Sequence, residues 1–208
     1  MKNTVNLKID NREVKVDEGA NILEAASIAG IEIPTLCYDE GLEPYGACRL
    51  CVVEVETKHG CNMVTSCCYP ASEGLNVRTR SPRIDKTRKT ILELAAASAG
   101  EDVGRLASLA DEYGADLARF RGKILAKPTK CILCGLCVRR CAEATGNSAI
   151  GFVSRGTSRR IVLFPEMEKA CSNCSYCRTV CPTGRITSVG VYPRFPYFDD
   201  VLAGRVRT

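Results

Sequence analysis

The sequence predicts an α+β protein in which a helical connector joins two cysteine-bearing domains. Residues 1–80 alternate apolar and polar side chains as β-strands do, with one short helical stretch among them. Residues 81–127 show helical spacing and contain no cysteine, which predicts the connector. Residues 128–190 hold eight of the 14 cysteines in two runs of equal spacing. In residues 191–208 prolines separate aromatic side chains, which predicts an irregular tail.

The first domain begins with a predicted β-hairpin. Apolar residues alternate in "VNLKI" and "VKV", and Asp10-Asn11 lie between these strands as a turn. The segment "ANILEAASIAG" has helical spacing and predicts a helix that stops at Gly30. The runs "VVEVET" and "LNVRTR", with a strand around residues 63–66, complete a small β-grasp-like domain.

Composition excludes several classes of protein. The 208 residues are 45% hydrophobic and 25% charged, an ordinary balance for a globular chain. The segment "MKNTVNLKID" lacks the apolar run of a secretory signal. The longest apolar stretch, "ILELAAASAG", is shorter than the roughly 20 residues of a membrane span. We therefore expect a cytoplasmic protein, in which regularly spaced cysteines favour metal sites over disulfides.

The runs "CILCGLCVRRC" and "CSNCSYCRTVC" separate their cysteines by two, two and three residues. This spacing is typical of bacterial ferredoxins with two 4Fe-4S clusters, in which the fourth cysteine of each run binds the other cluster. The predicted ligands of the first cluster are Cys131, Cys134, Cys137 and Cys181. The predicted ligands of the second cluster are Cys171, Cys174, Cys177 and Cys141. Pro182 follows Cys181 as in the typical run, whereas Ala142 follows Cys141 and departs from it.

Structural zinc is the main alternative, because zinc sites also use pairs of cysteines separated by two residues. Zinc usually takes its four ligands from two such pairs. Here three cysteines follow one another at equal spacing, twice, and each group has a fourth beyond it. This pattern favours iron.

Six further cysteines lie in the first domain and provide another four-thiol site. Cys37, Cys48 and Cys51 are separated by ten and two residues, a longer loop than the plant-type ferredoxin spacing of four and two. Spacing alone does not separate Cys67 from Cys68 as the fourth ligand. Adjacent side chains of an extended segment point in opposite directions, so only one of the two should face a cluster.

These segments resemble the iron-sulfur subunits of NADH dehydrogenase (complex I), NAD(P)-linked hydrogenases and formate dehydrogenases. "PTLCYDEGLEPYGACRLCVVEV" and "TSCCYPASEGLNVRTRS" are similar to the N-terminal 2Fe-2S domain of that family. "KCILCGLCVRRC" and "AIGFVSRG" are similar to its dicluster ferredoxin domain. The resemblance implies one 2Fe-2S cluster and two 4Fe-4S clusters. By this resemblance the 2Fe-2S ligands are Cys37, Cys48, Cys51 and Cys67, while Cys61 and Cys68 bind no cluster.

One feature departs from the larger members of the family. They bind an additional 4Fe-4S cluster through a histidine and three cysteines between the two domains. Residues 81–127 contain neither residue type, although "LASLADEYGAD" resembles the segment that follows that box. We therefore expect three clusters and about ten iron atoms per chain. With about −2 for each cluster and its thiolates, the formal charge of +5 becomes about −1, so nucleic-acid binding is not expected.

The resemblance implies an electron-transfer subunit without a substrate site of its own. It would relay single electrons between a flavoprotein NAD(P)(H)-linked subunit and a catalytic redox subunit, such as a hydrogenase or formate dehydrogenase. The segment "GNSAIGFVSRG" lacks the glycine spacing of a dinucleotide-binding loop. His59 is expected to be exposed in a turn. The cations Lys86, Arg88 and Lys89 fit either a nucleotide contact or a solvated helix face.

Two other functions compete with this one. An iron-sulfur subunit of the succinate dehydrogenase or fumarate reductase type also joins a 2Fe-2S domain to a ferredoxin domain, but its N-terminal spacing is closer to the plant type. A zinc-stabilised scaffold would only hold partners together. In either electron-transfer interpretation, the aromatic tail would dock on a larger subunit or pack on its own ferredoxin domain. The small predicted cores imply that bound clusters supply much of the folding free energy.

Overall fold

The computed structural model describes residues 3–58, 60–100, 103–123, 129–164, 167, 171, 174 and 176–186. The chain divides into two compact units, Met1–Cys134 and Gly135–Thr208. Each unit has a hydrophobic core of its own.

The first unit opens with the predicted hairpin. Strands β1 (Thr4–Ile9) and β2 (Arg12–Asp17) pair in antiparallel register. Asp10 and Asn11 connect them with φ angles of 47° and 67°, the left-handed turn that matches the twist of a two-residue hairpin. Alternate residues of both strands are buried, as the period of two requires.

The predicted helix follows as α1 (Ile22–Ile28), and a capping box fixes its start. The Asn21 side chain accepts the backbone N–H of Glu24, and the Glu24 carboxylate accepts that of Asn21, both at 3.0 Å. The helix buries its apolar face against the sheet core and ends two residues before Gly30.

Three further strands complete a five-stranded sheet of order β2-β1-β5-β3-β4. They are β3 (Val52–Thr57), β4 (Gly60–Thr65) and β5 (Asn76–Arg78). The short strand β5 lies between β1, to which it is parallel, and β3, to which it is antiparallel. The Asp10 carboxylate accepts the backbone N–H of Thr79 at 2.8 Å and also the Thr79 hydroxyl, which ties the end of β5 to the first hairpin.

Two helices within residues 81–127 also belong to the first unit: α2 (Pro82–Ala99) and α3 (Gly104–Tyr113). The Ser81 side chain caps α2 by accepting the Ile84 N–H at 3.1 Å. The helical spacing of the sequence continues to Phe120, but α3 ends at Tyr113, because the next residue, Gly114, has a left-handed φ of 59°. Residues 117–123 form turns instead.

These two helices cover the loop that leads from α1 to β3. Leu36 and Leu50 of the loop share a buried apolar cluster with Leu92 of α2 and with Leu106 and Tyr113 of α3. The helices therefore form part of the packing of the first unit.

The second unit is built from short elements. They are α4 (Leu136–Arg139), a π-helical turn (Arg140–Ala144), the antiparallel pair β6 (Ile150–Val153) and β7 (Arg160–Leu163), and α5 (Tyr176–Thr179). The buried cluster of its described residues contains only Ala149 and Ile150 besides four cysteines. Within this cluster, cysteines therefore outnumber aliphatic side chains.

Candidate metal centres

The first group of thiols lies at one end of the β3–β4 hairpin. Cys51 directly precedes β3, and Cys67 follows β4 by two residues. The strand register pairs Val52 with Thr65, and the Ser66 N–H donates to the Cys51 carbonyl at 3.0 Å. As a result, the Sγ atoms of Cys51 and Cys67 are 3.3 Å apart.

Cys37 and Cys48 form a second pair of thiols, in the loop between α1 and β3. The backbone N–H of Cys48 donates to Cys37 Sγ at 3.3 Å. Cys37, Cys51 and Cys67 are each at most 2% exposed, and half-buried Cys48 packs against the cluster that contains Leu92. Four sulfur donors, three of them buried, are a donor set that suits a 2Fe-2S cluster.

Within each pair, one thiol makes the other more acidic. The contact with Cys48 lowers the pKa of Cys37 to about 7, and the contact with Cys67 lowers the pKa of Cys51 to about 6. The same contacts raise the pKa of Cys48 and of Cys67, because each of these thiols then holds the shared proton. The thiolate is the form that binds metal. In each pair one thiol therefore ionises more readily than the other, which must lose its proton on binding.

Cys67 and Cys68 lie in a turn, so the expectation that they point in opposite directions is wrong. The N–H groups of Cys68 and Tyr69 both donate to the Thr65 carbonyl, at 3.2 and 3.1 Å, and curl the backbone. The Sγ atoms of the two cysteines are therefore 3.6 Å apart. The two residues still differ in environment, since Cys67 is buried and Cys68 is exposed. A Cβ at Gly46 would lie 2.9 Å from Cys68 Sγ, so only glycine lets the loop approach this closely.

The three cations of α2 do not share a solvated face. Lys86 is exposed and Lys89 is half-buried, but Arg88 is only 1% exposed. Arg88 Nη1 donates to the Tyr113 hydroxyl at 2.9 Å, and Nη2 donates to the Val52 carbonyl at 2.8 Å.

A nucleotide contact and a solvated helix face would both place Arg88 at the surface. The helical spacing of the sequence indicates a buried position instead. Arg88 lies four residues after Ile84 and four before Leu92, and both of these side chains are buried. Residues four apart occupy the same face of a helix. Arg88 was therefore predictable as a residue that faces the protein interior.

In the second unit, four thiols line one small cavity. They belong to Cys141, Cys171, Cys174 and Cys177. Cys141 comes from the first cysteine run and the other three from the second. The buried backbone N–H of Ala149 donates to Cys141 Sγ at 3.2 Å. These four residues are the ones that the sequence predicts as ligands of the second 4Fe-4S cluster, and four sulfurs around one space suit such a group.

The predicted ligands of the other 4Fe-4S cluster belong to both units. Cys131 and Cys134 lie at the end of the first unit, and the Leu133 N–H donates to Cys131 Sγ at 3.3 Å. Cys137 is buried in α4, and Cys181 is half-buried, with its Sγ 3.6 Å from the Thr183 hydroxyl. Their assignment to one cluster stays a prediction.

Some predicted features lie outside the described residues, namely His59 and the tail of residues 191–208. Within the part of the chain that the structure describes, no group of three or more His, Cys, Asp or Glu side chains is arranged to hold a single metal ion. In that same part, none of the helices combines the length and apolar character needed to cross a membrane.

Comparison with known proteins links the chain to redox complexes. Residues 2–82 match the family described as 2Fe-2S iron-sulfur cluster binding domain. An NADH-quinone oxidoreductase subunit of Rhizobium meliloti (strain 1021) is 32% identical over 215 residues, covering 93% of this chain and 24% of that protein. The alpha subunit of an NADPH-Fe(3+) oxidoreductase of Geobacter sulfurreducens (strain DL-1 / KN400) is 34% identical over 204 residues, covering 88% and 24% respectively.

The chain spans about a quarter of the length of these two curated relatives. A solved structure matches it over a larger share. The crystal structure of NAD+-reducing NiFe hydrogenase in the H2-reduced state contains a chain with 30% sequence identity and a TM-score of 0.67. That match covers 76% of this chain and 74% of the hydrogenase chain.

Proposed function

The chain belongs to the iron-sulfur subunit family of NADH dehydrogenase and NAD(P)-linked hydrogenases, and we propose that it relays single electrons between two partner subunits. One partner would be a flavoprotein subunit that exchanges electrons with NAD(P)(H). The other would be a catalytic redox subunit, such as a hydrogenase. The observation that carries the proposal is the grouping of Cys141 with the three cysteines of the second run around one cavity, because paired 4Fe-4S clusters require ligands that cross between runs.

The proposed ligands of the 2Fe-2S cluster are Cys37, Cys48, Cys51 and Cys67. Their support is local: the thiols form two close pairs, one in the loop between α1 and β3 and one at the end of the β3–β4 hairpin, and three of the four side chains are almost fully buried. Cys68 is the exposed member of its pair, which favours Cys67 as the fourth ligand.

The proposal also includes two 4Fe-4S clusters with the crossed ligand sets. The shared cavity of Cys141, Cys171, Cys174 and Cys177 supports one set. The other set follows from the same spacing rule applied to Cys131, Cys134, Cys137 and Cys181.

When bound, such clusters accept and release electrons one at a time. The cysteine thiolates of this chain would hold them, and eight of the twelve proposed ligands are buried, which would limit the access of water to the sulfurs. The backbone N–H groups of Cys48, Leu133 and Ala149 each donate to a cysteine Sγ. Donors to sulfur stabilise the more negative, reduced state and so raise the reduction potential.

Metal analysis and electron paramagnetic resonance of the purified native complex test this function. After the iron and the signals of the partner subunits are subtracted, we expect about ten iron atoms per copy of the chain and three separate signals on stepwise reduction. Visible absorption should bleach with dithionite. Zinc in place of iron would contradict the electron-transfer role, and a fourth cluster bound by this chain would contradict the predicted count.

A cysteine substitution tests whether Cys141 is a cluster ligand, as the crossed assignment requires. Cys141→Ser should remove about four iron atoms per chain and the signal of one 4Fe-4S cluster, because it removes a ligand from the cavity of the second run. Cys61→Ser is the matched control, since Cys61 lies in β4 and is assigned to no cluster. Iron content and spectra that are unchanged in Cys141→Ser would refute the crossed assignment.

A further inference from the structure

We propose that Arg88 is a positioning residue that raises the reduction potential of the 2Fe-2S centre by placing a buried positive charge behind the segment that carries Cys51. This inference rests on the proposed 2Fe-2S site. It concerns a residue of α2 that supplies no metal ligand.

The positive charge of Arg88 is buried. The side chain is 1% exposed, and its Nε has no hydrogen-bond partner. Among the described residues, no carboxylate forms an ion pair with it. Burial raises the pKa of Tyr113, so the hydroxyl that accepts from Nη1 is a neutral partner. A buried cation without a counter-charge is strongly destabilising.

The Arg88 guanidinium lies next to the start of β3. Nη2 donates to the carbonyl of Val52, the residue that directly follows Cys51. One turn further along α2, Leu92 shares an apolar cluster with Leu50, and half-buried Cys48 packs against the same cluster. Arg88 therefore contacts the end of the segment 48–52, which provides two of the four proposed ligands.

A bound cluster would give the 2Fe-2S site a negative charge. A 2Fe-2S cluster with four thiolates carries about −2 when oxidised and about −3 when reduced. That negative charge is the counter-charge that Arg88 otherwise lacks. Because the attraction grows with the additional electron, a nearby buried cation stabilises the reduced state more than the oxidised state. A cation in water would be screened and have much less effect.

Redox titration of the 2Fe-2S signal in the full native complex tests the inference. Arg88→Gln keeps a donor for the Val52 carbonyl but removes the charge, and Arg88→Lys keeps the charge. Lys86→Gln is the matched control, because it removes an exposed charge from the same helix. In Arg88→Gln we expect the ratio of reduced to oxidised cluster at a fixed potential to fall at least tenfold, which corresponds to about 59 mV for one electron. In Arg88→Lys and Lys86→Gln it should change less than threefold.

An unchanged potential in Arg88→Gln would overturn the inference while leaving the proposed site intact. Absence of any 2Fe-2S signal from the wild-type complex would instead refute the site itself. If the Arg88→Gln protein accumulates without its 2Fe-2S cluster, its potential cannot be measured. The cluster content of Arg88→Lys then decides the test. Cluster content at the wild-type level in Arg88→Lys supports the role of charge. A loss equal to that in Arg88→Gln refutes it, since the forked hydrogen bonds to Val52 and Tyr113 would then be what matters.

Discussion

At the first candidate centre, two neighbouring thiols differ in burial more than in position. Cys67 and Cys68 have their sulfurs 3.6 Å apart, yet only Cys67 is buried and lies 3.3 Å from Cys51 Sγ. The turn whose N–H groups donate to the Thr65 carbonyl creates this arrangement. Burial therefore selects between two cysteines that sequence spacing treats as equal.

Serine substitution of each cysteine tests this selection. Cys67→Ser should lose about two iron atoms per chain and the 2Fe-2S paramagnetic signal, because a buried ligand is removed. Cys68→Ser should retain both. The reverse pattern, with the cluster lost only in Cys68→Ser, would assign the fourth ligand to Cys68.

Among the elements, α2 has a role in the first unit that a connector between domains would not have. It buries Leu36 and Leu50 of the loop between α1 and β3, and its Arg88 binds the start of β3. Burying two leucines stabilises a fold by about 3–6 kcal/mol. The sheet and its metal-binding loop therefore depend on residues beyond position 80.

Two fragments of the chain test this dependence. A fragment of residues 1–80 should aggregate or fail to retain a 2Fe-2S cluster, because Leu36 and Leu50 lose their cover. A fragment of residues 1–123 contains α2 and α3 and should stay soluble with the cluster. Visible absorption and iron content after gel filtration measure the difference. Equal cluster retention in both fragments would show that the helices are dispensable.

The sequence predicted those elements whose pattern is local. The hairpin follows from strand alternation with Asp10-Asn11 as the turn, and α1 follows from helical spacing before Gly30. The end of α3 was harder to predict, because apolar spacing continues beyond Gly114 and only the left-handed backbone there stops the helix. The packing of α2 over the loop depends on contacts between distant residues, which spacing does not encode.

At the candidate sites too, cysteine spacing indicates some features and does not indicate others. Cysteine spacing groups Cys141 with the second run, and these four residues line one cavity, while their binding of a cluster stays a prediction. It was insufficient at Cys67 and Cys68, because hydrogen bonds to Thr65 determine the turn. The charge of Arg88 predicted a position at the surface. Its place on the helix between buried Ile84 and Leu92 puts it in the interior instead.

Across the whole molecule, the two units differ in what fills their cores. In the first unit the sheet core is mainly aliphatic, with buried residues from α1 and from β1, β2, β3 and β5. In the second unit, four of the six buried cluster residues that the structure describes are cysteines. Apolar burial can stabilise the first unit alone, whereas in the described part of the second unit cysteines form most of the buried cluster.

Removal of iron should consequently affect the two units differently. Hydrogen exchange of the metal-free chain, followed by mass spectrometry, should show protection retained in β1, β2 and β3 and lost from residues 135–164. Restoring iron and sulfide provides the control and should recover the protection. Complete loss in both units, or retention in both, would contradict this difference in their dependence on metal.

The central position of β5 also affects how the protein is made on the ribosome. Strands β1 and β3 meet only through β5, which is the last strand of that sheet in the sequence. Cys37, Cys48 and Cys51 therefore leave the exit tunnel before the sheet that buries them can close. Until residue 78 has emerged, these thiols lack the shelter of the completed sheet and are open to oxidation.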